Sequence, residues 1–500
     1  MTPQHQAFNV AWNNRVDRIL HSMNPLERRH LYLGRSQSHG YPVYLDRNLL
    51  HLHAWVHGGS GSRKTSLSFA TLITQLIAGE SKGRQAWLDF MGRPEPPFDK
   101  DERCSVLVLD LKGDLSLAQN CYLEAKAAGV PFRMFTNVIG HTSHVFNPLN
   151  AVHLDSLVSA NQQCQTLLQA MSAEYGAGYG PSFYSAMNEI VLLNYVQRFG
   201  TRQSFRKLHR LLDDRNRYPG AEADWKNARH LPALAGRLAG VYPLNFTDEH
   251  LRTRPEVAKN EIRLPDMLRE SQVVYFSLST AVEKTTVSTV AKLALYCLFA
   301  AAATRPAGAN HRVYVFIDEF QQLVSTSISL LLEQARSMNL SLILAHQNVG
   351  QLKADRGAEL VDAVESCVGF EQAFKVAGVK EMERIEKLSG VKRDYTLSWD
   401  DEKEQWAETI SSRLNANDII EASASPFTSL VRFSEGSGLS QYSGYWQPVA
   451  GEFHITEDEY RLRQNAGWPD LGPGAVTVKP MAPAKPRTHR RRKPGPRGKP

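Results

Sequence analysis

Residues 55–73 read WVHGGSGSRKTSLSFATLI, a stretch that begins apolar, becomes Gly/Ser-rich and then amphipathic. This order predicts a buried strand, a loop and a helix. Small loop residues let backbone N–H groups wrap a phosphate, a Lys can reach the outer phosphates, and a Thr hydroxyl can hold Mg²⁺. We therefore predict a phosphate-binding loop. Its residues are Gly58, Gly59, Ser60, Gly61, Ser62, Arg63, Lys64, Thr65 and Ser66.

The loop departs from the usual GxxxxGK[ST] pattern at one position, because Arg63 stands where the second Gly belongs. Two interpretations follow. Either the loop stays flexible and the Arg63 side chain points outward, or Arg63 impairs nucleotide binding or turnover. A third, plainer interpretation is a glycine-rich turn before a helix with no ligand.

An acidic pair ends a second apolar run. Residues 311–323 read HRVYVFIDEFQQL, in which five apolar residues precede Asp318 and Glu319. Buried carboxylates are costly unless they are paired or bind a metal. The pattern is that of a Walker B element, in which Asp318 holds Mg²⁺ and Glu319 polarises the attacking water. The alternative is a solvated strand end.

Two further polar residues follow the acidic pair. Residues 327–352 read SISLLLEQARSMNLSLILAHQNVGQL, which predicts a helix carrying Arg336 and a strand that ends at Gln347. A polar residue at that strand end can sense the γ-phosphate or the attacking water. Arg336 could reach the nucleotide of a neighbouring subunit, but a surface ion pair is the plainer interpretation.

Short apolar runs alternate with helical stretches from residue 40 onward. Several runs are unbroken, which suits parallel strands buried on both faces and predicts an α/β fold. Between residues 151 and 264 the strand signals stop and helical spacing takes over. We predict an N-terminal helical segment (1–39), a nucleotide-binding domain in two parts (40–150 and 265–470), an inserted all-α domain (151–264) and a disordered basic Pro-rich tail (471–500).

These motifs together resemble the type IV secretion coupling proteins of bacterial conjugation, which belong with the FtsK–HerA DNA-pumping ATPases. The segment VLVLDLKGDL (106–115) is similar to the family's Asp-Pro-Lys-Gly segment, with Leu111 in place of Pro. VFNPLN (145–150), FIDEF (316–320) and SSRLNANDII (411–420) also resemble family segments. The likeness covers roughly residues 40–450, with its motifs in the family's order.

The resemblance implies a RecA-like P-loop NTPase core with an inserted all-α domain, assembled as a homo-hexamer. It implies ATP and Mg²⁺ as ligands, with Lys64 on the phosphates and Thr65 and Asp318 on the metal. It assigns catalysis to Glu319, to Gln347 as sensor and to Arg336 as a trans-acting arginine. The implied partners are DNA, the relaxase or relaxosome, and membrane components of the type IV secretion system.

Charge and hydropathy refine this expectation. The 500-residue chain has a net charge of +7, but residues 477–500 hold nine Lys/Arg and no acid, so residues 1–476 carry −2. The basic tail predicts binding to nucleic acid or anionic lipid. The most apolar run, residues 293–303, is shorter than the ~20 residues of a membrane span, so we expect a buried helix. We expect no transmembrane segment and a cytoplasmic protein, which either is recruited to the inner membrane by partners or works away from the membrane.

The predicted function is a DNA-dependent ATPase that moves DNA or relaxase-bound DNA during conjugative transfer. One alternative is a hydrolysis-impaired adaptor, disabled by Arg63, that recruits DNA and a relaxase. Another is a related DNA pump in plasmid maintenance or defence.

Overall fold

The structure is a computed structural model that describes most of the chain. The described residues are 30–37, 40, 42–59, 61–79, 104–150, 159–173, 181–199, 204–218, 220–228, 230–306, 310–323, 326–347, 358–400, 403–434 and 445–480.

Strands and helices both occur throughout these residues. The strands are β1 (His30–Ser36), β2 (Pro42–Asp46), β3 (Ala54–Gly58), β4 (Ser105–Asp110), β5 (Phe132–Thr136), β6 (Thr142–Ser143), β7 (Val273–Ser277), β8 (Val313–Asp318), β9 (Leu340–His346), β10 (Phe370–Phe374), β11 (Val391–Asp400), β12 (Lys403–Ser412), β13 (Thr428–Phe433), β14 (Gln447–Ala450) and β15 (Val476–Thr477). The helices are α1 (Ala70–Ala78), α2 (Leu115–Ala128), α3 (Ala160–Ala170), α4 (Pro181–Phe199), α5 (Phe205–Asp213), α6 (Glu222–Asn227), α7 (Leu231–Ala239), α8 (Asp248–Arg252), α9 (Pro255–Lys259), α10 (Thr280–Ala303), α11 (Thr326–Ala335), α12 (Ala358–Cys367), α13 (Val379–Ser389), α14 (Ala416–Ala424) and α15 (Glu457–Asn465).

One large mixed sheet forms the centre of the described structure, in the order β2-β1-β14-β13-β10-β3-β9-β8-β4-β7-β5. The strands from β10 to β5 pair in parallel, whereas β13, β14, β1 and β2 add an antiparallel edge. Every residue of β3, β4, β7, β8 and β9 is buried. Helices cover both faces of such strands, which explains why their sequences are unbroken apolar runs. The predicted α/β P-loop NTPase fold is confirmed.

The parallel strands place the predicted site at one edge of the sheet. β3, β9, β8 and β4 are neighbours, and their carboxyl ends meet at the same edge. Those ends are followed by the phosphate loop, by Gln347, by the Asp318-Glu319 pair and by the 110–114 loop. Ligands of open α/β sheets bind in the crevice outside the carboxyl ends of the strands.

Helices α3 to α9 lie between β6 and β7, where helical spacing predicted an all-α insertion. Their apolar side chains, such as Leu167, Leu192 and Leu238, belong to the same buried cluster as Phe135 and Phe276 of the sheet. The helical segment is therefore packed on one face of the sheet through a continuous core. Its status as a separate domain stays a prediction.

Helix α10 carries the most apolar segment of the chain. Within the described residues, Glu283–Ala303 is the one helical stretch long and apolar enough to cross a membrane. However, 78% of its apolar window is buried inside the protein, and it packs against α3 and α7. The observed environment is that of a core helix, as the sequence predicted.

The structure corrects the predicted N-terminal helical segment. Residues 30–36 form β1, which pairs with β2 and β14, instead of the end of a helix. Alternating Leu31 and Leu33 are buried together with Tyr32, because both faces of this strand are covered. The rest of that predicted segment lies outside the described residues, apart from Gln37.

The predicted disordered tail begins too early. Trp468 and Leu471 pack against the core, and β15 pairs with β6 at Val476 and Ser143. Val476 and Val478 are buried, so two apolar side chains anchor a segment whose Pro and Gly content had suggested disorder. The described part of this segment reaches residue 480, and residues 481–500 lie outside the described residues.

Candidate functional site

The phosphate loop connects β3 to the helical turn at Thr65–Phe69, which continues into α1. Gly58 has φ 148°, and a Cβ there would lie 2.2 Å from the carbonyl oxygen of Phe374. Only glycine fits such a position. Ser60 of the predicted loop lies outside the described residues. The loop therefore begins where the predicted motif begins, at a position that accepts no side chain.

Lys64 is buried and turns back onto its own loop. Its Nζ donates hydrogen bonds to the carbonyl oxygens of Gly58 and, at 3.3 Å, of Gly59. Burial lowers the pKa of Lys64, and the charges of Asp318 and Glu319 partly oppose this shift. The ammonium group is thus held over the loop, within reach of a ligand that would offer it phosphate oxygens.

Thr65 and Asp318, the predicted metal pair, meet in the structure. The Thr65 Oγ1 donates to Asp318 Oδ2 at 3.5 Å. Burial raises the pKa of Asp318 to about 7, and the neighbouring charges of Asp110 and Glu319 add to the shift. A bound cation would oppose both causes of the raised pKa. Its positive charge would compensate the buried carboxylate and screen the negative charges of Asp110 and Glu319.

Glu319 adopts a left-handed backbone conformation with φ 59°. Its carboxylate accepts hydrogen bonds from Gln347 Nε2 at 2.9 Å and 3.1 Å, and also from Gln321. Non-glycine residues held in such a conformation cluster at functional sites, where the surrounding structure imposes it. The structure therefore brings the predicted water-polarising residue and the predicted sensor into direct contact.

Asp110 is a buried carboxylate that we did not predict as a site residue. It ends β4 opposite Asp318 of β8 and accepts hydrogen bonds from the backbone N–H groups of Lys112, Gly113 and Asp114 and from the Tyr275 hydroxyl. These bonds fix the 110–114 loop in the wall of the site. The sequence signal was present in the quoted VLVLDLKGDL segment, as an apolar strand that ends in Asp110 and is followed by Leu111, Lys112 and Gly113.

Arg336 is placed apart from these residues. It begins a short 3-10 turn after α11 and is exposed. Its charge contributes to lowering the pKa of His53, for which burial is the main cause. A role for Arg336 in the site of a neighbouring subunit stays a prediction.

A cavity of about 660 Å³ contains the phosphate loop and the acidic pair. Its lining includes Lys64, Thr65, Asp318 and Glu319. Other lining residues come from the C-terminal part of the chain, which no sequence motif predicted to be part of the site. The aromatic and basic residues among them are Phe427, Phe453, Tyr460, His454 and Arg463.

Arg63 reproduces the backbone geometry that glycine would adopt in the loop, with φ 70°. Its side chain is exposed, and the guanidinium carbon lies 4.2 Å from the centre of the Phe427 ring. This geometry matches the interpretation in which Arg63 points out of the phosphate loop. Its effect on turnover stays a prediction.

Comparison with known proteins places this geometry in context. Residues 312–424 match the family model described as the TraM recognition site of TraD and TraG. No curated protein matches the chain significantly in sequence. The matched residues include the acidic pair, Arg336 and Gln347. The family model therefore covers the predicted site residues that follow the phosphate loop in the chain.

Solved structures share the fold over most of the chain. The bacterial conjugative coupling protein TrwBdeltaN70 aligns with a TM-score of 0.55 at 12% identity, over 88% of this chain and 91% of that one. The plasmid coupling protein TrwB in complex with ADP and Mg²⁺ aligns with a TM-score of 0.56 at 12% identity, over 88% and 92%. VirB4 of Thermoanaerobacter pseudethanolicus aligns with a TM-score of 0.50 at 14% identity, over 87% and 98%. The resemblance to type IV secretion coupling proteins is thus confirmed, in fold over most of the chain and in sequence over residues 312–424.

Proposed function

We propose that the chain is a DNA-dependent ATPase that couples ATP hydrolysis to the movement of DNA, or of relaxase-bound DNA, in conjugative transfer. The observation that carries this proposal is the presence of Lys64, Thr65, Asp318 and Glu319 in one cavity. The related fold has been solved with ADP and Mg²⁺ and with a non-hydrolysable ATP analogue in TrwB, which supports the choice of ligands.

Mg²⁺ fits the residues that would hold it. The metal prefers hard oxygen ligands, and the Thr65 hydroxyl and Asp318 carboxylate supply them 3.5 Å apart. Asp110 and Glu319 add negative charge around the same point. When bound, Mg²⁺ would neutralise charge on the phosphate oxygens and orient them.

The protein's own groups have distinct roles in this proposal. Lys64 would exchange its bonds to the loop carbonyls for bonds to phosphate oxygens. Glu319 would accept a proton from the attacking water, because its carboxylate is held in place by Gln347. In phosphoryl transfer most of the catalysis is positioning and electrostatic stabilisation. A site whose hydrogen-bond donors and acceptors are already held in place is suited to this reaction.

The proposed assembly is a homo-hexamer in which Arg336 of one subunit reaches the nucleotide of the next. DNA contacts would be made mainly to phosphates and would therefore weaken with salt. The match of residues 312–424 to a TraM recognition model supports a relaxosome partner. We propose a cytoplasmic location, with recruitment to the inner membrane through components of the type IV secretion system.

Arg63 supports a second candidate function. If its left-handed position slows rearrangement of the loop around phosphate, the chain would act as a hydrolysis-impaired adaptor that binds nucleotide and recruits DNA and a relaxase. The two candidate functions differ in the rate of ATP hydrolysis, but both require binding of ATP and DNA.

The test is the ATPase rate of the purified full chain with and without DNA, measured beside Glu319→Gln. We expect DNA to stimulate the wild type and the substitution to lower kcat by ~100-fold or more, since general base catalysis contributes about 10²–10⁴. Glu249→Gln, at an exposed position of α8, is the matched control and should retain the wild-type rate.

A wild type no faster than Glu319→Gln would refute the motor function. Retained ATP and DNA binding in that case would favour the adaptor, and loss of ATP binding would contradict both candidates.

A further inference from the structure

Three large aromatic side chains are exposed inside the cavity. Phe427 is 40% exposed, Phe453 46% and Tyr460 38%, and all three line the same cavity as the acidic pair, where they form an aromatic wall. Exposed aromatic groups that converge in a concave site mark a place where an apolar, planar ligand binds. Their arrangement differs from that of scattered surface hydrophobics, which need no explanation.

The aromatic wall is joined directly to the phosphate loop. The Arg63 guanidinium lies 4.2 Å from the Phe427 ring centre, and Phe427 meets Phe453 edge to face at 5.3 Å. Arg63 is the chain neighbour of Lys64, so this contact begins one residue from the phosphate-binding lysine. A ligand with both phosphates and a planar ring could contact both regions at once.

Both members of this contact have strained backbones. Arg63 has φ 70° and Phe427 has φ 64°, values that side-chain-bearing residues rarely adopt. Phe427 is held there by its carbonyl oxygen, which accepts a hydrogen bond from the Gly451 N–H at 2.8 Å. Such strain persists where the surrounding structure imposes it, and it is concentrated at ligand clamps and active sites.

We infer that Arg63, Phe427 and Phe453 form the platform for the base of the nucleotide. A guanidinium plane and a phenyl ring both stack on heteroaromatic bases. The inference rests on the proposed function, because the phosphate loop must hold the phosphates of the same molecule. It also gives the residue that replaces the loop glycine a binding role of its own.

Asn120, a polar residue that lines the same cavity, is already engaged. Asn120 Oδ1 accepts hydrogen bonds from Arg463 and His454, and its Nδ2 donates to Thr74. Stacking is the interaction that the aromatic rings of this wall offer to a base, and it depends on ring planes more than on donor and acceptor patterns.

The test compares ATP with inorganic tripolyphosphate, which has the phosphates but no base. Binding of each is measured by calorimetry for the wild type, Arg63→Lys and Phe427→Leu. Arg63→Lys keeps the charge and removes the planar group. We expect each variant to bind ATP about tenfold more weakly and tripolyphosphate within about twofold of the wild type. Phe199→Leu, at an exposed phenylalanine beside Arg198 on α4, is the matched control and should change neither.

Arg63→Gly adds a second measurement. Because glycine adopts positive φ without strain, this variant should unfold at a higher temperature while it binds ATP more weakly. A purely structural role for Arg63 would not produce opposite changes in stability and affinity.

Equal losses for ATP and tripolyphosphate would overturn the inference, and so would unchanged ATP binding in Phe427→Leu. Altered sedimentation of Phe427→Leu with unchanged ATP binding would instead assign the aromatic wall to a contact with a second copy of the chain. A wild type that binds neither ligand would contradict the proposed function itself and is distinguishable from both results.

Discussion

The side-chain amide of Gln347 donates to the carboxylate of Glu319, with Nε2 to Oε1 and Oε2 distances of 2.9 Å and 3.1 Å. The two residues follow β9 and β8, which are parallel neighbours in the sheet. Glu319 has a left-handed backbone, and its carboxylate is held by Gln321 as well as by Gln347. The contact therefore connects Glu319, the group that would polarise water, to the end of the neighbouring strand β9.

Replacing Gln347 by Ala should therefore lower kcat without much change in the affinity for ATP. Glu319 would remain but would lose a donor that orients it, and we expect a decrease of roughly 10- to 100-fold. Steady-state ATPase kinetics separate kcat from KM. Gln334→Ala, at an exposed position on α11, serves as control. A parallel rise in KM would show that Gln347 acts in binding instead.

Asp318 predicts a pH dependence of stability in Mg²⁺-free buffer. Burial raises its pKa from 3.8 to about 7, so the folded protein binds more protons than the unfolded chain between those values. Stability contributed by this group falls as pH rises from about 4 to about 7, by up to ~1.4 kcal/mol per pH unit. Asp318→Asn should reduce the difference in unfolding free energy between pH 5 and pH 8.

The same substitution should abolish the effect of Mg²⁺ on nucleotide binding. Urea unfolding at the two pH values and calorimetric titration of ATP with and without Mg²⁺ provide the two readouts. An unchanged pH dependence in Asp318→Asn would show that Asp318 is ionised across this range.

Glu371 lies at the centre of a buried charged cluster beside β3, the strand that leads into the phosphate loop. It accepts hydrogen bonds from His57 at 3.1 Å, from Arg384 at 2.7 Å and 3.2 Å, and from Arg432 at 3.2 Å. Burial alone would raise the pKa of Glu371, but these partners outweigh it and hold the pKa at about 2. His57 immediately precedes Gly58, so the cluster anchors the strand end from which the loop starts.

Glu371→Gln should lower the free energy of unfolding by roughly 3–5 kcal/mol at neutral pH, because it leaves buried cations without their counter-charge. Its stabilising contribution is present above the unfolded pKa and is lost only as pH falls toward about 2. Glu365→Gln is the matched control. Glu365 contacts Arg384 at 2.8 Å but is about one-third exposed, so its loss should cost ~1 kcal/mol or less. Similar costs for the two variants would contradict a central role for Glu371.

Arg336 can be tested by mixing inactive variants. Arg336→Ala and Lys64→Ala should each be inactive alone, and mixed oligomers should recover part of the ATPase rate if Arg336 acts on a neighbour's nucleotide. The recovery arises because some interfaces would combine an intact loop with an intact arginine. Arg210→Ala, exposed on α5, is the control and should stay active alone. Failure of all mixtures to recover activity would exclude action in trans.

Deletion of the basic tail should begin at residue 481, because β15 and the buried Val478 belong to the folded part of the chain. Deletion of residues 481–500 removes eight Lys/Arg and should weaken binding to DNA or to vesicles of anionic lipid, most strongly at low salt. Basal ATPase and thermal stability should stay unchanged. Deletion from residue 471 should instead lower thermal stability, since Val476 and Val478 are buried. Loss of basal ATPase in the shorter deletion would show that residues 481–500 belong to the catalytic unit.

Local patterns in the sequence were enough to predict the two halves of the site. The glycine-rich stretch before Lys64 and the acids after an apolar run each depend on contiguous residues, and strand-helix alternation then implied a parallel sheet. Parallel strands bring their carboxyl ends to one edge, so the meeting of Thr65 with Asp318 was predictable. The strand at residues 30–36 was not predicted, because one short apolar run in a polar segment does not distinguish a strand from a helix. Its pairing with β2 and β14 is visible only in the structure.

The sequence by itself determined the fold class, the phosphate loop and the acidic pair, because these features depend on spacing within short segments. Only the tertiary structure decided what surrounds them. The Arg63–Phe427 contact, the buried Glu371 cluster and the anchoring of Val476 each join residues far apart in the chain. Burial, backbone strain and pKa shifts arise from these long-range contacts, and no local pattern contains the partners that cause them.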